Sequence, residues 1–554
     1  MTPQTITADA PVFGLAPSDE HLFFQQDKMH FPDPLAPMEA AMIERSLGHG
    51  FGYGARCYNA PIEAVEVRTI GGYQYQAMVM KTGTPEEMGA AGALAEQTVR
   101  AAIGRLDELW TEQILPEVRE HLGFWDSFDL TGATRAALSD HVAETWTRLK
   151  RVWELHFQIV LPAYLAISEF DELYRGLFPD AGPLDSYRLL EGLPNMTVEV
   201  GLEMWRLSRR AIADDEVRAV FETRSAAAIP AALYETVAGR EFLAELEAYV
   251  DRYGRRADKW TLLAPSWTED PTPVIESLRD FVRRTEIDEP AVVTAAAAEG
   301  RERAIAAARE QLQGYPEAVV GQFEGMLAAA QAGTVISEDH NFYIDNTSIH
   351  HLRAVLLEAG RRLVDDGALV RASDVMMLAP EELAAALAQP GDDLRATVAE
   401  RTDLLARQAA MTPPPVLGTM PAAPPPSDDP FARFAMKFNG IPAVAEVPAD
   451  EVHGSSGSAG KVRGTARVIS SIAEAGRLQP GDIIVAETTA PPWTPLFATV
   501  AAVVTDTGGV LSHCAVVARE YGIPAVVGTQ VGTLVITDGQ TIEVDGDAGI
   551  VRIV

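Results

Sequence analysis

A histidine set behind two glycines and a serine is the most chemically pointed feature of this sequence. Residues 505–529 read TDTGGVLSHCAVVAREYGIPAVVGT. The β-branched run ending at Thr505 predicts a buried strand, and residues 506–511 predict a glycine-containing loop. Ser512 is a good N-cap for a helix that Gly522 and Pro524 then stop. His513 therefore falls at the first helical position, at the tip of a strand–loop–helix unit. The free N–H groups and positive dipole end of a helix favour an anion there, and Gly508 and Gly509 let the backbone approach it closely. With Thr507 and Ser512 they form a candidate phosphate loop. A neutral imidazole is nucleophilic near pH 7, so this geometry suits a histidine that accepts a phosphoryl group and holds it. Arg519, six residues further on, reads as a structural or docking cation, and Cys514 as a small buried apolar residue.

The elements around this unit fall into three regions of the 554 residues, a length that suits about three or four domains. Residues 1–90 mix loops and short strands, with EAVEVRTIGGYQYQAMVM alternating like a hairpin. Between about 88 and 400 the pattern is helical and rich in Ala, Leu, Glu and Arg. Residues 412–426 then place seven prolines in fifteen positions, which marks a domain boundary. Such a run favours polyproline II and would span roughly 45 Å as a semi-rigid arm. After about residue 443 the chain turns to short β-branched runs separated by Gly, Pro and Asp. The fold class expected is multidomain α+β: a largely helical region (1–400), a Pro-rich linker (401–442) and a C-terminal β/α domain (443–554). GHGFGYG at 48–54 does not fit G-x-G-x-x-G and reads as a flexible loop.

Composition narrows the partners. With 45 Lys+Arg against 79 Asp+Glu, the formal charge of -34 repels nucleic-acid phosphates and anionic membranes alike. Two cysteines are too few for a disulfide framework or a structural zinc site and fit a reducing compartment. The N-terminus lacks a basic segment followed by an apolar one, and no apolar run approaches membrane-spanning length, so the expected location is the cytoplasm.

The segment around His513 resembles the mobile phosphohistidine domain of the phosphoenolpyruvate-utilising enzymes, found in pyruvate phosphate dikinase, phosphoenolpyruvate synthase and rifampin phosphotransferase. The resemblance rests on Thr507, Gly508, Gly509, Ser512 and His513, on the Ala518-Arg519-Glu520 helix and on the Gly522-Ile523-Pro524-Ala525 stop. GDIIVAETTAPPWTPLF before it and DGQTIEVDGDAGIV after it extend the likeness over the whole C-terminal domain, which would be a swivelling one. The first 400 residues resemble the substrate domain of rifampin phosphotransferase and of two-subunit phenol-phosphorylating synthases. That likeness lies in short motifs such as LLEGLPNMTVE, YGRRADKWTLLAPSWTEDP and SEDHNFYID. Two departures stand out. Gly254-Arg255-Arg256 stands where many relatives have Gly-His-Arg, and of the rifampin enzymes' Arg-Glu-x-x-Lys arrangement only Glu338 carries over.

The resemblance implies the acceptor-binding and phosphohistidine subunit of an ATP-dependent dikinase-type phosphotransferase, cytoplasmic and acting on a small phenol. Phenol itself, an alkylphenol or a hydroxyphenyl ketone such as 4-hydroxyacetophenone would fit. With the chain ending at Val554 and no nucleotide module evident, charging of His513 is expected from a separate ATP-grasp subunit. That subunit would hold both ATP and Mg2+, and no metal or cofactor is expected on this chain. Attack by a phenol, whose pKa is about 10, requires a positioned base near pH 7. His340 is the candidate, with Glu338 or Asp339 orienting it. Phe342 and Tyr343 would stack on the acceptor ring, and His156, flanked by Trp153 and Phe157, and Arg256 would line its pocket. His30 and His49 read as packing histidines, and Trp267 and Trp493 as core or interface residues. A split antibiotic phosphotransferase of the rifampin type, and a regulatory phosphocarrier with no small-molecule acceptor, are the alternatives.

Overall fold

The computed structural model describes residues 5–6, 11–257, 259–283, 289–420, 430–440, 450–489 and 493–554. They divide into two compact units, one of residues 1–162, 259–264 and 343–426, the other of residues 163–258, 265–342 and 427–554. The division does not follow the composition change near residue 443. Much of the helical region shares a unit with the C-terminal domain.

The first unit holds a five-stranded antiparallel sheet of β1 (Thr5–Ile6), β2 (Phe23–Gln26), β3 (Ile62–Ile70), β4 (Tyr73–Met80) and β5 (Val416–Thr419), in the order β1-β5-β2-β4-β3. The expected hairpin is β3–β4, and its turn is made by Gly71 and Gly72, both at positive φ (61° and 91°). Phe24, Tyr73, Tyr75 and Leu417 are buried together against this sheet. The Pro-rich segment is not the uniform arm the composition suggests. Residues 395–409 are helical, 416–419 form β5, and 430–439 are helical again. The prolines at 413–415 precede β5, where a missing N–H costs no ladder bond, and their carbonyls still serve. Pro414 O accepts from the Tyr75 hydroxyl (2.7 Å) and Pro415 O from Gln26 N (3.0 Å). Residues 421–429 and 441–442 of the expected linker lie outside the described residues.

A second correction concerns residues 48–54, expected as a flexible loop. They are helical, within His49–Cys57 and the turn before it. The glycines are there for packing. A Cβ on Gly50 would lie 2.4 Å from the Trp153 carbonyl oxygen, and one on Gly54 2.8 Å from that of Phe157. Glycines four residues apart thus give this helix a smooth stripe against the Arg135–Leu177 helix, and the packing gained outweighs their poor intrinsic propensity.

The second unit combines helices, among them Met196–Ala213, Thr272–Arg283, Pro290–Gln311 and Glu317–His340, with an eight-stranded sheet. Its strands are β6 (Glu451–His453), β7 (Ser455–Ser458), β8 (Lys461–Val468), β9 (Asp482–Ala486), β10 (Ala502–Thr505), β11 (Ala525–Val527), β12 (Thr541–Asp545) and β13 (Ile550–Ile553), in the order β6-β13-β12-β8-β9-β10-β11-β7. The central four, β8 to β11, are parallel. Being covered on both faces, they read as continuous apolar runs with period-2 sorting. Ile484 and Val503 join a core with Trp493, Phe497 and Cys514, while Ile483, Val485, Ala502 and Val504 join a second core with Ile542 and Val544. The expected β/α character of this domain is observed.

Replacing Gly50 by alanine forces a methyl into the Trp153 carbonyl and should destabilise the chain by about 1–3 kcal/mol. Gly89→Ala, in a helix with nothing within 4 Å of the added Cβ, should be neutral or slightly stabilising. Urea unfolding of the two variants against the parent checks both.

Candidate functional site

The buried strand β10 delivers the chain to the loop at 506–511. Ser512 has extended backbone (φ -67°, ψ 154°), and its hydroxyl accepts from Ala515 N, so it caps the His513–Glu520 helix as its residue type dictates. Gly522, at φ +64°, ends that helix. The loop is fixed along its length. The Asp506 carboxylate accepts from the Thr529 hydroxyl (2.9 Å), from Thr533 N (3.1 Å) and from the Thr533 hydroxyl. The Thr507 hydroxyl donates to Glu487 O at 3.0 Å. Leu511 is buried in a core made by the helices, with Phe170, Leu190 and Phe323.

The candidate phosphate loop is engaged otherwise than expected. Thr507 N donates to Glu487 O (2.9 Å), Gly509 N to Phe438 O (2.7 Å), Leu511 N to Lys437 O (3.1 Å) and Ser512 N to Gly509 O (3.0 Å). A Cβ on Gly509 would lie 2.2 Å from the Lys437 carbonyl oxygen, so the close approach that glycine permits here is to protein backbone. These four amides are taken by carbonyls.

His513 Nδ1 lies 3.1 Å from Glu338 Oε2, the oxygen that also accepts from the Thr197 hydroxyl at 2.6 Å. Glu338 is only 4% exposed. Burial opposes its ionisation, but the charge and hydrogen bond of His513 and the bond from Thr197 overcome this and hold its carboxyl below the usual range. An ionised Glu338 keeps a proton of His513 on Nδ1, so that when the imidazole is neutral its lone pair lies on Nε2. Nε2 is buried without a hydrogen-bond partner among the described residues. This is a nucleophilic nitrogen whose tautomer a buried carboxylate sets.

The other expected site residues are dispersed around this pair. Asp339 accepts from Met196 N (2.8 Å), and burial, with the charges of Glu338 and Glu199, pushes its carboxyl up to about 6. The carboxylates expected to orient His340 thus serve other groups. His340 itself is paired through Nδ1 with the Ile336 carbonyl (2.8 Å) one helical turn back, an arrangement that places the basic lone pair on Nε2, and its ring meets Tyr164 edge-on. Arg256 is buried with its guanidinium over the rings of Trp267 and Phe342, each 5.4 Å away. Phe342 therefore stacks on an arginine. Tyr343 and His156 belong to the other unit, where Arg119 covers the Tyr343 ring (5.5 Å) and His156 Nδ1 lies 2.7 Å from Asp345 Oδ1. His30 pairs with Asp27 and stacks on Trp260, and His49 pairs with Glu154, as packing histidines do. Trp267 and Trp493 are buried, and burial pushes the Cys514 thiol up to about 12, which leaves it inert. Arg519 donates to Gly457 O and Val510 O, a structural role.

Sequence reasoning missed Thr197 and Glu520. Thr197 stands inside the quoted LLEGLPNMTVE motif, and only its meeting with Glu338 in space reveals it. Glu520, with Arg519, lines a narrow cavity whose walls include Tyr164, Tyr187, Leu190 and Ser337. Its carboxylate accepts from Gly192 N, yet burial and the charge of Glu191 push it up to about 8. A carboxyl whose folded value is raised stabilises the fold fully below its unfolded value near 4.3, and that contribution is lost progressively up to pH 8. Glu520→Gln removes the titration and keeps the acceptor oxygen. Its melting temperature should exceed the parent's at pH 8.5 by clearly more than at pH 5.5, as measured by thermal unfolding at both.

Comparison with known proteins converges on this site. Residues 478–549 match the mobile domain of PEP-utilising enzymes, and residues 156–338 match the fourth domain of rifampicin phosphotransferase. Chondramide synthase cmdD of Chondromyces crocatus is 39% identical over 98% of this chain and 14% of its own length. The uncharacterised phosphotransferase YvkC of Bacillus subtilis is 25% identical over 98% of this chain and 63% of its own. A rifampicin phosphotransferase of a Streptomyces species is 33% identical over 65% of this chain and 40% of its own. The chain thus spans less than two thirds of the length of each of these relatives. His513 lies within the first matched segment and Glu338 ends the second. This chain carries the mobile domain of the PEP-utilising enzymes together with the fourth domain of the rifampicin phosphotransferases.

Proposed function

We propose that this chain is a phosphotransferase in which His513 carries a phosphoryl group on Nε2 and passes it to the hydroxyl of a small phenolic acceptor. The observation that supports it is the hydrogen bond from His513 Nδ1 to the buried Glu338 carboxylate, which leaves Nε2 as the nucleophile. In the transfer step the acceptor oxygen attacks phosphorus and the O–P bond forms. The P–Nε2 bond breaks with its electron pair returning to Nε2, and the hydroxyl proton passes to a base. His340, with Nε2 as its basic nitrogen, is assigned that role. Glu338 stabilises the ring by holding Nδ1–H throughout, a positioning role.

Charging of His513 is assigned to an ATP-grasp module outside these 554 residues, either a partner subunit or another part of a longer chain. ATP and Mg2+ would be held there, with AMP and phosphate as the other products by likeness to the family. The fourth-domain match at residues 156–338 favours one competing reading, an antibiotic phosphotransferase of the rifampicin type.

Phosphoramidate, which phosphorylates histidine without an enzyme, allows the test on this chain alone. The parent should acquire one acid-labile phosphoryl group at His513, and His513→Ala should acquire none there. His340→Ala should label like the parent but transfer to 4-hydroxyacetophenone about 10²–10⁴-fold more slowly. Its defect should be smaller for phenols of lower pKa. Discharge of the labelled parent by rifampicin but not by phenols would move the assignment to the antibiotic reading. Equal discharge by parent and His340→Ala would remove His340 as the base.

A further inference from the structure

Among the described residues of the second unit, Arg519 and Arg301 are part-buried arginines with evident partners. Arg519 donates to two backbone carbonyls, at 2.7 and 3.0 Å. Arg301 donates to Glu191 O and Gly192 O, at 2.8 and 2.9 Å. Arg256 differs. It is 3% exposed, its Nε is buried with no hydrogen-bond partner among the described residues, and its side chain makes no ion pair there. Trp267 and Phe342 cover the guanidinium, and their quadrupoles hold a cation without neutralising it. The backbone is fixed on both sides, with Arg256 N donating to Gly254 O and Arg256 O accepting from Trp267 N. A charge so held, out of water and lacking a carboxylate partner, costs several kcal/mol. Burial accordingly pushes its pKa down to about 10, against the charges of Tyr249 and Glu338, and it remains a cation at pH 7.

Phe342, one of the rings that Arg256 covers, stands four residues, about one helical turn, after Glu338, the carboxylate that holds His513, and Tyr249 and Glu338 are the groups whose charges reach Arg256. A phosphoryl group on Nε2 would bring about two further negative charges beside the buried Glu338. Without a cation that concentration of charge would be prohibitive.

Resting on the reading of His513 as a phosphohistidine, we propose that Arg256 is the cation that binds the phosphoryl oxygens of phospho-His513 while that histidine is paired with Glu338. A guanidinium presents a planar fork that matches two oxygens of a phosphoryl group, and the charge it neutralises is the charge that repels an incoming hydroxyl oxygen. Arg256 is then a catalytic residue, and Trp267 and Phe342 are positioning residues that fix its plane.

The experiment is a 31P NMR titration of the full chain loaded at His513 with phosphoramidate. Phosphoryl groups lose their second proton near pH 6, and a bound guanidinium lowers that value by about 1 unit or more. The folded parent should therefore titrate at least about one unit below the same loaded chain in urea. Arg256→Gln should return the folded value towards 6, and Arg256→Lys should recover part of the shift. Discharge to 4-hydroxyacetophenone should slow by about 10²-fold in Arg256→Gln, with the amount of label on His513 unchanged. A folded parent that titrates like the urea-treated chain overturns the proposal, whatever the variants do. So does an Arg256→Gln titration that superimposes on the parent's. Label that persists unchanged in His513→Ala removes the phosphohistidine reading itself, a result distinct from either.

Discussion

A carboxylate that stays ionised while almost wholly buried constrains everything near it. Glu338 is 4% exposed, and it remains charged only because His513 and Thr197 supply hydrogen bonds to a single oxygen. The pair is mutually dependent. Glu338 sets which nitrogen of His513 keeps its proton, and His513 sets the cost of keeping Glu338 charged. The surrounding structure serves this distance. Ser512 caps the helix that begins at His513, Leu511 seats the loop in the core of the helices, and Gly509 allows the loop backbone to touch the Lys437 carbonyl. A bulkier residue at 509 would push the loop outward and part an imidazole from a carboxylate that water cannot reach.

The same arrangement limits how tightly the histidine can be held. On the proposed reading His513 must leave its acceptor site to be recharged, so the contacts that seat it cannot all be strong. Leu511 contributes apolar burial worth on the order of 2 kcal/mol, and several loop amides bond to backbone carbonyls. Set against them is Glu520. Its carboxyl, pushed up to about 8, is a group that burial penalises whenever it is ionised. The helix thus includes a buried titratable group whose ionisation weakens its packing as pH rises. A helix carrying His513 on a fully apolar face would bind more firmly and turn over less readily.

Much of this was legible in the chain before any coordinates. His513, its N-cap, the glycine that stops its helix and the β/α domain around them follow from residue types at short spacing, because each is a local rule. The hairpin at 62–80 was legible for the same reason. What failed was non-local. Residues 48–54 look like a loop because glycine lowers helix propensity, but the Trp153 and Phe157 carbonyls against which Gly50 and Gly54 pack lie about a hundred residues away. The prolines before residue 416 look like an arm, yet the strand they introduce pairs with residues near 23–25. Gly509 was read as allowing close backbone approach, and it approaches the Lys437 carbonyl. Thr197 could not be found by spacing at all, since nothing in its own segment announces a carboxylate 141 residues further on.

The ionisable triplet at 338–340 shows why adjacency in sequence is a poor guide to a shared role. On a helix, consecutive residues point about 100° apart, so Glu338, Asp339 and His340 cannot all face one substrate. They divide accordingly. Glu338 holds the histidine of another segment, Asp339 accepts from Met196 N at the start of the Met196–Ala213 helix, and His340 turns back to its own helix at Ile336. Only the first is forced to remain charged, because only the first has an imidazole as partner, and Asp339 shows the alternative: pushed up to about 6, it shares the burial without the compensation. If a phosphoryl group is added beside Glu338, that compensation must grow by the charge brought in. Arg256, a buried cation that feels the charge of Glu338, has a fixed backbone, two aromatic rings beside its guanidinium and, among the described residues, no carboxylate partner. A protein that needed Arg256 only to balance Glu338 would have paired the two directly. On the proposed reading, the charge that Arg256 meets arrives with the histidine and departs with the product.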